Sequence, residues 1–389
     1  MLLSGGLGYG EQRMAALRWL PGVLLLLPWL VGPLTPSNDA RIRDLAGPSG
    51  FRLLDWETMH LGERAGRLWT GLVGSAAAAD AAADADTLHA YFRGPARPSD
   101  LRAGAEAALE RSVAAAYRDG GLTRSEPLPL ARLFPPVLVA LTSPPNVLVI
   151  APRDALRVVG SSVLQAMDVL DQERLEASAD STGVSSLVAP IGGLALYPSM
   201  VLEEDTPEHV LAAVAHEWMH QYLIFYPLGT AYWSSQEARE INETTADMVG
   251  TEVGGQVAST LGFSPAPPAS SGAAPAAGFD FRAFMRETRV LTEQLLADGQ
   301  VDAAEAAMRA RRDELQQRGF QIRKLNQAYF ALYGSYGDGF AASPSNPIPR
   351  LLRTLRASSS TLGDFVFQVR QVTTLAELSR IANQTALPA

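Results

Sequence analysis

The tightest constraint on how this chain can fold is one pentapeptide, His216-Glu217-Trp218-Met219-His220, inside a segment marked as a helix at both ends. Thr206 can cap its start, Pro207 suits the first turn, and Pro227 with Gly229 stops it. At a spacing of four, the two imidazoles share one helix face about a turn apart, so both can reach a single ion. Glu217, beside the first of them, can take a proton from water on that ion. A catalytic zinc usually has three protein ligands and leaves one position for water, so a third ligand is expected nearby. Ser234 or Ser235 can cap a second helix running to about residue 251, and it carries Asn242-Glu243-Thr244-Thr245-Ala246-Asp247. Glu243 can complete the ligand set. Asp247, one turn further on, can accept a hydrogen bond from the far nitrogen of a ligand histidine. Glu240, and more distantly Glu237 and Glu252, compete for the third position, but only Glu243 is followed by an Asp four residues later. The two helices must therefore face one another, and Pro227, Gly229 and the Tyr232-Trp233 segment supply the reversal between them.

Composition narrows the chemistry further. The chain has no cysteine, so a transition metal has to be held by histidine and carboxylate. Besides the motif pair there are three other histidines. His209 reads as a first-turn surface residue, and His60 and His89 lack ligand spacing and read as structural. A net charge of −9 argues against nucleic acid as a partner, because there is no basic excess to neutralise phosphates. Near the start, Arg13 and Arg18 precede an apolar run over residues 19–34 that is interrupted by Pro21, Pro28 and Pro33. That plan predicts a secretory signal or a short uncleaved anchor, hence an extracytoplasmic protein that is secreted or membrane-attached.

The pattern along the chain predicts five regions: a signal or anchor at 1–36, a mainly helical region at 37–134, a metal-binding core at 135–261, a Pro/Ala/Ser/Gly-rich loop at 262–279 and a helical lobe at 280–389. Two β-branched runs between residues 135 and 154, separated by Ser143-Pro144-Pro145-Asn146, predict a pair of strands joined by a turn. Spacing from there to residue 175 predicts helix. Residues 192–198 predict an edge strand, stopped by Pro198. Helical periodicity returns at 281–297, 301–317 and 322–332.

The combination of HEWMH and NETTAD resembles the gluzincin, or thermolysin-like, group of zinc metallopeptidases, whose pattern is His-Glu-x-x-His followed by Glu-x-x-x-Asp on a later helix. The resemblance spans roughly residues 190–252. It implies a zincin-like α+β fold, mainly helical, with a small antiparallel sheet next to the active-site helix. It also implies one Zn2+ ion held by His216, His220 and Glu243, Glu217 as general base, and Asp247 as the partner of His216. Peptide or protein is the implied substrate, pairing with the strand at Gly193 and Ala195. No histidine follows His220, so another group must stabilise the oxyanion. Tyr329, Tyr333 and Tyr336 are the candidate hydroxyls, of which Tyr333 and Tyr336 are put forward as catalytic. Tyr222, Tyr226 and Tyr232 are assigned to packing beside the helices. The competing reading is a catalytically inactive, metal-stabilised cell-surface binding or scaffold protein.

Overall fold

A computed structural model describes residues 44–60, 62, 80–94, 97–124, 133–143, 145–203, 205–263, 279–334 and 341–385. The apolar run at 19–34, Tyr336 and most of the 262–279 loop lie outside these residues. The chain divides into two compact units, one of Met1–Thr35 and Arg52–Ala76 and one of Pro36–Phe51 and Ala77–Ala389. Within the first, the described part is a short helix, Leu53–Met59, on whose last turn the His60 Nδ1–H donates to the Trp56 carbonyl at 2.9 Å. No helix among the described residues is long and apolar enough to cross a membrane.

The second unit is an α+β body, mainly helical, with two three-stranded sheets. Its helices are α1 (Ala81–Phe92), α2 (Arg102–Asp119), α3 (Val169–Asp180), α4 (Pro207–Leu223), α5 (Gln236–Thr260), α6 (Phe281–Ala297), α7 (Val301–Gln317), α8 (Gln327–Tyr333), α9 (Ile348–Ser358), α10 (Leu362–Val369) and α11 (Leu375–Thr385). Its strands are β1 (Val139–Thr142), β2 (Asn146–Pro152), β3 (Gly160–Leu164), β4 (Val184–Pro190), β5 (Gly193–Leu194) and β6 (Ser199–Leu202).

The two runs around the Ser-Pro-Pro-Asn turn are both strands, but they do not pair with each other. β2 is the centre of an antiparallel sheet of order β3-β2-β4. β1 leaves for a second sheet, β1-β6-β5, where it runs parallel to β6. This second sheet is mixed rather than antiparallel, and β5 is its edge strand. The segment expected to be helical up to residue 175 contains β3 before α3 begins. Alternation along β2 accounts for its central place. Val149 and Ala151 face one apolar cluster with Leu187, Phe284, Met308 and Phe330, whereas Leu148 and Ile150 face another with Leu164 and Val188. A strand covered on both faces is thus apolar from Val147 to Ala151, with no alternation to distinguish it from its neighbour.

The edges of the mixed sheet are treated differently. On the β1 side, the outward N–H groups of Val139 and Leu141 donate to the carboxylates of Glu110 and Glu106 on α2, at 3.0 and 2.9 Å, so this edge is closed by side chains. On the other side, β5 is two residues long and borders the site described below.

The largest core joins α1, α2, α4, α5 and α9–α11. Within it, α4 and α5 make the most extensive contact between any two elements. Thr206 caps α4, accepting from the His209 N–H, and Ser235 caps α5, accepting from the Ala238 N–H at 3.2 Å. The helix starts therefore fall where the caps predict, while α5 continues nine residues past its expected end near residue 251, to Thr260. Mid-helix glycine is normally unfavourable, yet α5 carries Gly250 and Gly254 on its buried face. A Cβ at Gly254 would lie 2.6 Å from the Ala212 Cα, and one at Gly250 would lie 2.8 Å from the Ala212 carbonyl oxygen and 3.0 Å from the His216 Cβ. These glycines let α5 approach α4 backbone to backbone, next to the first motif histidine. By contrast, Gly255 is exposed and nothing lies within 4 Å of a Cβ built there.

The two positions should respond with opposite signs in chemical denaturation. Gly254→Ala should lower stability by about 1–3 kcal/mol through overpacking, and Gly255→Ala should raise it by about 0.5–1 kcal/mol through helix propensity. Equal stabilisation by both would show that α4 and α5 are not in close contact at Ala212.

Candidate metal centre

Each motif histidine is placed by α4, which is tied down along its buried side. The Tyr117 hydroxyl donates to the Ala215 carbonyl at 2.8 Å, and the Trp218 indole N–H donates to the Pro135 carbonyl at 2.9 Å. Trp218 and Met219 are buried, as expected of residues that pack this helix. Gln221 donates through Nε2 to the Leu196 carbonyl and, at 2.8 Å, to the Ser199 hydroxyl, holding the β5–β6 segment against α4. The helix therefore cannot rotate without breaking several buried hydrogen bonds.

On the opposite side of α4, three ligand-type side chains converge. The Nε2 atoms of His216 and His220 lie 3.0 Å apart, and the Glu243 Oε2 is 3.7 Å from the first and 3.5 Å from the second. The three donor atoms fall within 4.8 Å of one another. Bond lengths of about 2.0–2.2 Å to a tetrahedral ion need donors roughly 3.3 Å apart, and the three separations bracket that value. Two imidazoles and a carboxylate are a donor set suited to a divalent ion, so this group can bind a metal. Glu240, the competing third ligand, instead engages Gln236 at 2.9 Å and Asn346 at 3.3 Å. Glu237 accepts from the Leu375 N–H, and Glu252 pairs with Arg356.

Electrostatics within the cluster pair His220 with an ionised Glu243 and hold His216 neutral. Burial is the largest influence on every member. It lowers His216 to about 4, helped by the neighbouring charge of His220 and opposed by Glu243. Burial works against His220 too, but the charge and hydrogen bond of Glu243, with Glu217 and Asn242, carry it up to about 9. Burial likewise opposes the Glu243 anion, yet His220, His216 and the Tyr232 hydroxyl hold that carboxyl at about 2. Glu217 is pushed up to about 7, by burial first and by the Glu243 charge, against the pull of His220. A carboxyl near neutrality is suited to exchanging protons at physiological pH.

Two further orienting groups stand beside the ligands. His220 Nδ1 lies 2.7 Å from the Asn242 Oδ1, which makes Asn242 the acceptor that fixes its ring. The Tyr232 hydroxyl donates to the Glu243 Oε1, the oxygen turned away from the histidines. Tyr232 is thus more than a packing residue. No local pattern points to it, because the contact depends on how the reversal between the helices folds. Asn242 was legible only as the neighbour of Glu243.

A cavity of about 350 Å3 opens beside His216 and Glu217. Gly192 and Gly193 of the β5 side, Ala212 and Ala213 of α4, Asp247, Gly250 and Thr251 of α5, and Leu332 and Tyr333 of α8 contribute to its wall. Tyr333 therefore reaches the cavity from the helical lobe, and Asp247 reaches it next to His216. Tyr329 sits on the same helix and is buried. At Gly193 a side chain would run into the Glu217 carboxylate, with a Cβ only 2.8 Å from its Cγ. Ala195 lies beyond the two-residue strand, is buried, and is not among the residues lining the cavity. His209 bonds Asp205 at 2.9 Å and His89 bonds the Leu261 carbonyl at 2.9 Å, so neither joins the cluster.

No family model, curated protein or solved structure matches this chain. The centre is therefore characterised by its own geometry and donor chemistry. Loss of a group that orients a ligand typically weakens metal affinity about 10- to 100-fold. Tyr232→Phe and Asn242→Ala should each fall in that range in competition with a chromophoric chelator, while still binding one equivalent of a divalent metal ion. Wild-type affinity in both variants would remove them from the centre.

Proposed function

We propose that this chain is a zinc-dependent metallopeptidase, exported or membrane-anchored through its N-terminal apolar run. The observation that carries the reading is the convergence of His216, His220 and Glu243 on one point with the Glu217 carboxyl beside it, at the mouth of a cavity edged by a free strand. The ligand set supports zinc: two imidazoles and one carboxylate, in a chain with no thiolates. Bound there, the ion would polarise a substrate carbonyl and acidify a water molecule.

The chain's own residues supply the rest. The Glu217 carboxyl accepts a proton from the attacking water and returns it to the leaving nitrogen. Gly193 leaves the space in which that carboxyl sits. β5 offers an unpaired edge to an extended peptide, and the small side chains of Ala212, Ala213 and Thr251 leave room beside it for one substrate side chain. Tyr333, which lines the cavity, is the hydroxyl put forward to assist as negative charge develops on the carbonyl oxygen.

Glu217→Gln should retain one equivalent of zinc by elemental analysis but lose about a hundredfold or more of its turnover on a mixed peptide library. A chelator should abolish hydrolysis in the wild type, and zinc should restore it. Full turnover in Glu217→Gln would rule out the proposed base. Stoichiometric zinc with no peptide cleaved by the wild type would instead favour the inactive, metal-stabilised binding protein.

A further inference from the structure

Arg239 stands one turn before Glu243 on α5 and so shares its face of the helix. Its guanidinium lies over two aromatic rings, 5.3 Å from the centre of Tyr232 and 5.2 Å from that of Trp233. Among the described residues no carboxylate pairs with it, and its Nε is buried without a hydrogen-bond partner. Several part-buried arginines of the body meet an acid, Arg289 with Glu293, Arg323 with Glu176 and Arg356 with Glu252, whereas Arg97 and Arg370 bond instead to carbonyls and to the Tyr222 hydroxyl, respectively. The carboxylates nearest to Arg239 in sequence are engaged elsewhere, Glu237 by the Leu375 N–H and Glu240 by Gln236 and Asn346.

A guanidinium lying over aromatic rings keeps its attraction to them while its N–H donors remain able to meet a planar anion two at a time. Tyr232 links this group to the metal centre. Its hydroxyl donates to Glu243, and its ring stands edge-on to His220 with centroids 6.1 Å apart. An extended peptide advances about 3.3 Å per residue, so the guanidinium lies within a few substrate residues of the bond at the metal.

We infer that Arg239 is a specificity-determining residue that binds a carboxylate of the substrate, either a free C-terminus or an acidic side chain a few residues from the scissile bond. The inference rests on the peptidase reading for the identity of the substrate. Trp233 and Tyr232 hold the guanidinium in place, and the substrate supplies the anion that none of the described residues supplies.

The test uses the full chain loaded with zinc and four peptides sharing one scissile sequence: a C-terminal amide, the matching free acid, and a Gln/Glu pair placed within three residues of the bond. The expected result is a preference of about tenfold or more in kcat/KM for one carboxylate-bearing peptide over its neutral match. Arg239→Gln should bring that ratio to about one, and Arg239→Lys should keep part of it. Which pair shows the preference identifies the source of the carboxylate. Equal kcat/KM for neutral and acidic peptides in the wild type overturns the inference, as does an Arg239→Gln variant that loses activity on all four alike. A fall in zinc affinity of that variant, with the ratio intact, assigns Arg239 to supporting Tyr232 and also overturns it. Calorimetric binding of the same peptides to the Glu217→Gln protein gives a readout independent of cleavage. A carboxylate preference there that depends on Arg239 upholds the inference even where hydrolysis fails, whereas failure of hydrolysis alone counts against the peptidase reading.

Discussion

Two imidazoles and a carboxylate from different helices can share an ion only if the helix backbones approach closely, and in this protein that approach is made at Ala212, Gly250 and Gly254. Ordinary side chains at the helix contact hold axes about 8–10 Å apart. Here a Cβ at either glycine would overlap the backbone of α4, so the spacing is set by the absence of side chains. The contact lies about one turn from His216 at Ala212 and about two to three turns from Glu243 at Gly250 and Gly254, so a change of helix separation there moves the donors. Everything else around the site hangs from it: α2 and the Pro135 segment brace α4 from behind, and Gln221 pins the β5–β6 segment to its flank.

Four ionisable groups packed into the same small volume are costly for the fold, since each must leave water. The arrangement offsets this by giving the groups partners in a chain. Asn242 serves His220, His220 and Tyr232 serve Glu243, and Gly193 leaves room for the Glu217 carboxyl. The attraction between His220 and Glu243 shows in the raised affinity of His220 for its proton and the depressed affinity of Glu243, while His216 is held neutral. A divalent cation would meet all three donors at once, which one proton on His220 does not.

Local features were legible in the sequence. Helix starts at Thr206 and Ser235, the ligand spacing in HEWMH, and the helices at Phe281–Ala297 and Val301–Gln317 depend on neighbours a few residues apart, and caps and periodicity report those faithfully. Strand pairing depends on partners far along the chain. The Ser-Pro-Pro-Asn turn reads as a hairpin, yet β1 pairs with β6, sixty residues away in register at Val139 and Ser199, and β2 pairs with β3 and β4. No alternation distinguishes the two outcomes, because β2 is apolar on both faces. The same reason hid Tyr232, which reaches Glu243 only once the reversal after Pro227 has folded. Asp247 illustrates the intermediate case: the motif places it on the right helix face, and the structure places it on the cavity wall beside His216.

The mixed sheet shows how a fold can leave one reactive edge without inviting self-association. An unpaired strand edge is a template for another chain. At β1 that hazard is removed by Glu106 and Glu110, two carboxylates at helical spacing that meet alternate N–H groups of the strand. At β5 the edge stays available, but it is only two residues long and lies over the Glu217 carboxylate at Gly193, with too little length to nucleate a sheet. A longer edge would bind strands without discrimination. A two-residue edge binds weakly on its own, so under the proposed peptidase reading recognition of an extended partner would draw on side-chain contacts nearby, for which the cavity wall and the Arg239 guanidinium are the proposed sources.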